Sequence, residues 1–100
     1  MKFSAVAMAD RASDAERFLK QLANSKRLMV LCALIDGECS VGELNAQIPI
    51  SQSALSQHLA RLREAGFVST RREAQTIYYQ LADARVKTLI RCLYNLFCQP

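Results

Sequence analysis

One histidine, no C-x-x-C pair and no glycine-rich cofactor loop occur in these 100 residues. No serine, cysteine or carboxylate is spaced to form a catalytic triad with His58, so nucleophilic catalysis there is excluded. The missing C-x-x-C and cofactor loop exclude a thiol oxidoreductase, and no other enzyme chemistry or bound cofactor is expected. Long apolar runs are absent too. Leu28 to Ile35, the longest, falls far short of the roughly 20 residues a membrane-spanning helix needs. Phe3 to Ala9, behind Lys2, is too short an apolar run for a secretory signal, and charge follows at once. These absences point to a cytosolic (cytoplasmic) protein with no membrane partner, whose Cys32, Cys39, Cys92 and Cys98 stay as reduced thiols. No repeat, low-complexity tract or linker divides the chain, so residues 1–100 are read as one domain.

Acidic residues are scarce in one half only. The net charge is +4. Residues 1–50 are balanced, whereas the second half sets Arg61, Arg63, Arg71, Arg72, Arg85, Lys87 and Arg91 against Glu64, Glu73 and Asp83. A basic half suits nucleic acid or an acidic surface, although this charge alone is common in proteins that bind neither. Within Ser51–Arg63 no acid occurs at all.

What is present reads mainly as helix. Residues 1–9 lack caps and turn chemistry and are expected to be loosely ordered. Ser13 and Glu16 have capping-box spacing ahead of Ala15, Phe18, Leu19 and Leu22 at helical intervals. Asn24 caps a second helix, apolar nearly all round from Leu28 to Ile35, which should run through the domain centre and end at Asp36-Gly37. Ser40 and Glu43 make another capping box, opening a short helix with Val41, Leu44 and Ile48 inward, stopped by Pro49. Ser51 caps the next, with Leu55, Leu59 and Leu62 as its apolar stripe and Gly66 as its left-handed end. Beyond Gly66 the period changes. Residues 67–72 and 76–81 are rich in β-branched and aromatic types, with Glu73-Ala74-Gln75 as the turn: a hairpin with a basic tip. Asp83 then caps a last helix carrying Val86, Leu89, Ile90, Leu93 and Phe97 on one side, widened by Cys92 and Leu96.

The expected order is helix, helix, helix-turn-helix, hairpin, helix. That is a winged helix-turn-helix, mainly α with a β-hairpin wing. The terminal helices carry more apolar surface than so small a core absorbs, so they are expected to pair in a homodimer. Two recognition helices would then stand about 34 Å apart, one turn of a double-stranded DNA operator. On the polar face of the recognition helix, Gln52, Ser53, Ser56, Gln57 and Arg61 are the DNA-contact candidates. Glutamine can pair with adenine, arginine with guanine or phosphate, and serine with either a phosphate or a base edge. Arg71, Arg72, Gln75 and Thr76 are the wing candidates for minor-groove or backbone contacts. A solvated helix face with an ordinary hairpin, or a winged fold used for protein contacts, would need no such residues. His58, where the stripe meets the polar face, is read as a packing or phosphate contact.

In combination, Ala23-Asn24-Ser25-Lys26-Arg27-Leu28, Ser40-Val41-Gly42-Glu43-Leu44, Ser51 to Arg63, and Arg72-Glu73-Ala74-Gln75-Thr76-Ile77-Tyr78-Tyr79 resemble the ArsR/SmtB family of dimeric repressors over roughly residues 12–98. Within that family the chain most resembles the BigR/SqrR/HlyU/YgaV group, whose persulfide-sensing members use one cysteine in the central helix and one near the end of the last. Cys32 and Cys98 match those positions. The resemblance therefore implies a thiol sensor: a persulfide or polysulfide inducer reacts with one thiolate, the other resolves it, and a di-, tri- or tetrasulfide link releases a pseudo-palindromic operator. Left open is a regulator or anti-silencer that answers peroxide or no inducer, similar to NolR, with Cys32 as packing. Metal-sensing relatives flank a valine with two cysteines, where this chain has Ser40-Val41-Gly42. Their last-helix zinc site needs His and carboxylates, none of which occurs in residues 84–100. No metal site is expected. Cys39 and Cys92 match neither pattern and are read as packing residues, Cys39 the more exposed. Arg91 and Lys87 fall on roughly the face of Cys98.

Overall fold

The computed structural model describes residues 2–99; Met1, within the stretch expected to be loosely ordered, lies outside them. Six helices and three strands follow in the order α1 (Ala5–Ala9), α2 (Ala12–Leu22), α3 (Ser25–Ala33), β1 (Cys39–Ser40), α4 (Val41–Gln47), α5 (Gln52–Glu64), β2 (Val68–Glu73), β3 (Thr76–Leu81) and α6 (Ala84–Phe97). The winged helix-turn-helix is therefore present, with one helix and one strand beyond the expected set.

Most boundaries are set by local chemistry. The Asn24 carboxamide oxygen accepts from the backbone N–H groups of Lys26 and Arg27, starting α3. Ser40 and Glu43 form the full capping box at α4. Ser51 Oγ accepts from the Ala54 N–H at 3.1 Å, and Gly66, at φ 78°, turns the chain from α5 into β2. Asp83 caps α6 through the Arg85 N–H.

The N-terminal end differs from the expected reading in two places: it has a cap that was not expected, and it lacks one that was. Residues 5–9 form α1, capped by Ser4 Oγ accepting from Ala7 at 3.2 Å. The Ser13–Glu16 box does not form, because α2 starts earlier, at Ala12, with Arg11 as an N-cap that makes no side-chain bond. The acids near the start of α2 are used sideways instead: Asp14 pairs with Arg17, and Glu16 with Lys20 at 2.9 Å. A third difference is β1. It pairs antiparallel with β3, Cys39 opposite Tyr79 and Ser40 opposite Tyr78, giving a sheet of order β1-β3-β2. Two residues carry no periodicity, so only the tertiary pairing reveals them.

The core is one cluster of aliphatic side chains. Leu55, Leu59 and Leu62 of α5 are fully buried with Val30 and Leu31 of α3, Leu44 of α4 and Val86 of α6. Burying three leucines on one edge leaves the opposite edge of α5 free. Phe18 meets Phe67 edge to face at 5.3 Å, fixing α2 against the turn after α5. The central helix is less enclosed than its composition suggests. Its Val30 face is buried, while Met29 is exposed and Cys32 half-buried on the side toward α6.

Candidate nucleic-acid interface and thiol cleft

The outer face of α5 carries Gln52, Ser53, Ser56, Gln57 and Arg61, all exposed. Ser53 Oγ lies 3.3 Å from the capping Ser51 Oγ, which ties the first turn together. No acid lies in the first turn of the helix, so nothing there opposes an anion at its N-terminus. Two contacts that local sequence does not signal hold α5 in place. The Arg27 guanidinium donates to His58 Nδ1 at 3.2 Å and to the Gln21 carbonyl at 3.1 Å, bridging α2, α3 and α5. The Asn45 amide donates to the Ile50 carbonyl at 2.9 Å, clamping the turn between α4 and α5. Burial, then the charges of Arg27 and Arg61, hold the His58 imidazolium below its ordinary range, so the neutral ring accepts the Arg27 bond.

In the wing, the register runs from Val68 opposite Leu81 to Glu73 opposite Thr76, leaving a two-residue loop of Ala74 and Gln75 with Ala74 at φ 56°. Arg72, Gln75 and Thr76 are exposed at that end. Arg71 is placed differently. Its guanidinium holds both carboxylate oxygens of Glu38, pairs with Glu73 at 2.9 Å and lies 4.7 Å from the centre of the Tyr78 ring. The bonds to Glu38 and Glu73 push its ionisation further up and Glu38 down, and this exposed cluster joins the wing to the turn before β1. Glu38 gave no sign of this in sequence, being 33 residues away.

Two of the four cysteines share a cleft. Cys32 and Cys98 line one apolar cleft of about 360 Å³ between α3 and α6, with Leu28, Met29, Ile90, Leu93, Tyr94 and Phe97 around them. Cys32 is half-buried and Cys98 exposed. Burial first, then the neighbouring Cys98 and Asp36, pushes the Cys32 thiol up. The expected exposure of Cys39 is overturned: it is half-buried, its Sγ 3.7 Å from the Ala33 carbonyl, because β1 draws it under the sheet, whereas Cys92 is exposed on α6. Arg91 lines a recess with Cys32 rather than with Cys98. Among the described residues no three His, Cys, Asp or Glu side chains converge, and no helix is long and apolar enough to cross a membrane.

Comparison with known proteins follows the same lines. The sequence model for "Bacterial regulatory protein, arsR family" matches residues 24–70. The transcriptional activator HlyU of Vibrio cholerae is 51% identical over 92% of this chain and 85% of its own. The biofilm growth-associated repressor of Agrobacterium fabrum is 52% identical over 94% of this chain and 80% of its own. The crystal structure of the transcriptional repressor BigR from Xylella fastidiosa superposes with a TM-score of 0.89 at 45% identity, covering 96% of this chain and 98% of that one.

Proposed function

The chain belongs to the arsR family of bacterial regulatory proteins and is a transcriptional regulator, not an enzyme; from that premise we propose that it is a dimeric, dithiol-based repressor that binds a pseudo-palindromic operator and releases it when a persulfide links Cys32 to Cys98. DNA is engaged through Gln52, Ser53, Ser56, Gln57 and Arg61 on α5, with Arg72, Gln75 and Thr76 from the wing. Arg71, held by Glu38 and Glu73, positions the hairpin and makes no phosphate contact of its own. The shape of the molecule favours a second copy. Its radius of gyration is 15.0 Å, against about 13 Å for a compact chain of this length, and Leu96 and Phe97 stand exposed at the end of α6.

The observation that carries the sensor reading is the shared cleft of Cys32 and Cys98. A sulfur bridge there would tie the central helix to the last one. It would bias the dimer away from operator spacing, and a coupling of about 1–3 kcal/mol suffices for such a switch. Intact-mass analysis of the reduced protein after glutathione persulfide should show sulfur gained or a bridge formed at Cys32 and Cys98. Cys32→Ser and Cys98→Ser should each bind operator like the wild type and lose release by persulfide. Release retained in both single variants refutes the pair. A mass change with peroxide alone moves the inducer class to peroxide.

A further inference from the structure

The bond between Arg27 and His58 decides more than where α5 sits. A guanidinium has no acceptor, so the ring nitrogen 3.2 Å from Arg27 Nε, Nδ1, must be bare. A neutral imidazole carries one proton, and burial with the charges of Arg27 and Arg61 keeps this ring neutral. That proton therefore sits on Nε2. Among the described residues Nε2 meets no hydrogen-bond acceptor, and no side-chain nitrogen or oxygen is both buried and unpartnered, so Nε2 opens to solvent. The half-buried ring is thus fastened inward at one nitrogen and offers a free N–H outward at the other. Arg27 donates to His58 and to the Gln21 carbonyl and carboxamide oxygens, all neutral groups. Its positive charge is left uncancelled behind the ring and polarises the outward N–H.

This donor stands on one edge of α5. Ser53 and Gln57 lie opposite the buried stripe of Leu55, Leu59 and Leu62, whereas His58 lies between that stripe and the exposed Arg61, one turn on. A helix with its side chains is about 10–12 Å across, and a DNA major groove is about 12 Å wide. The centre of the outer face therefore reaches the bases, and the edges meet the sugar–phosphate walls. We propose that His58 is a backbone-phosphate contact of the operator complex, donating through Nε2, and that Arg27 is the positioning residue that fixes the tautomer this requires. The inference rests on the DNA-binding reading above. Without Arg27 the ring could take the other tautomer, and a bare nitrogen would then face the phosphate, acceptor against acceptor. A phosphate carries no sequence, so this contact sets register and affinity while Gln57 and its neighbours read the bases.

The test uses the whole chain and a duplex enriched by the wild type from a random pool of about 30 bp, long enough for two half-sites one turn apart. The chain has a single histidine, so its ring signals are assigned without ambiguity. Long-range proton–nitrogen correlation at about pH 8, where the ring is neutral, should show Nδ1 bare and Nε2 protonated in the free protein. Adding the duplex should shift the Nε2–H signal and slow its exchange with water. In Arg27→Met the preference for that tautomer should fall, and affinity with it. His58→Leu should weaken the enriched duplex and an unrelated duplex alike, by about tenfold. His58→Gln should bind within about twofold of wild type, since its carboxamide can accept from Arg27 and donate to a phosphate at once. A protonated Nδ1 in the free protein overturns the proposal, as does an Nε2–H signal untouched by a duplex that binds. So does a His58→Leu loss confined to the enriched sequence, or a His58→Gln variant as weak as His58→Leu. Failure of the wild type to enrich any duplex overturns the DNA-binding reading itself, and this proposal with it.

Discussion

His58 sits where α5 turns from apolar stripe to polar face, and its protonation state decides whether α3 and α5 stay bonded there. The neutral ring accepts from Arg27; a protonated ring would oppose it. Its folded-state pKa is lowered by burial and then by Arg27 and Arg61, relative to an ordinary value of 6.5. A lowered folded value means the unfolded chain binds the proton more readily. The stability is therefore present above 6.5 and declines as pH falls through that value toward the lower folded one. Chemical denaturation between about pH 8 and 5 should show this decline, and His58→Gln should flatten it. An unchanged pH profile in the variant would place the decline on other groups. The lone histidine was legible as a boundary residue, but its partner was not, because Arg27 lies 31 positions away and only packing brings them together.

At the scale of elements, the arginines of α5 and the wing differ in their surroundings. Arg61 and Arg72 stand free of ion pairs among the described residues, whereas Arg71 is ion-paired with Glu38 and Glu73. Removing one arginine–phosphate interaction should reduce the salt slope of DNA binding by about 0.9. The double variant Arg61→Ala with Arg72→Ala should therefore weaken operator binding and flatten its dependence on salt by nearly two units. Arg71→Ala should leave the slope within error of wild type. Salt titrations by fluorescence anisotropy separate the cases, and a slope reduction in Arg71→Ala equal to that of Arg72→Ala would return Arg71 to the interface. The caps at Asn24, Ser40, Ser51 and Asp83 were legible because capping is a local matter of one side chain and the next turn. The start of α2 was not, since Ser13 fits a capping pattern that the preceding turn had already made unnecessary.

For the whole molecule, a single copy leaves apolar side chains exposed at both ends, Phe3, Val6 and Met8 at one and the end of α6 at the other. Leu96 is 68% and Phe97 81% exposed, and neither contributes to the core. Leu96→Glu with Phe97→Glu should convert the protein to a monomer in sedimentation equilibrium and abolish operator binding, with the far-UV spectrum unchanged. A dimer persisting in that variant would exclude this surface from the interface. The amino-acid sequence by itself determined the five longer helices, the hairpin, the leucine stripe of α5 and the polar face opposite it. All of these follow from side-chain periodicity and capping within a few residues. Tertiary structure alone decided the rest: the pairing of β1 with β3, the Glu38–Arg71 cluster, the Arg27–His58 bond and the two recesses that meet at Cys32. Each of these joins residues far apart in the chain, and the energy that selects them arises only when the helices pack. Distance in sequence carries no signal for such contacts, which is why the cysteine pair could be matched by likeness while the apolar cleft that joins Cys32 and Cys98 could not be foreseen.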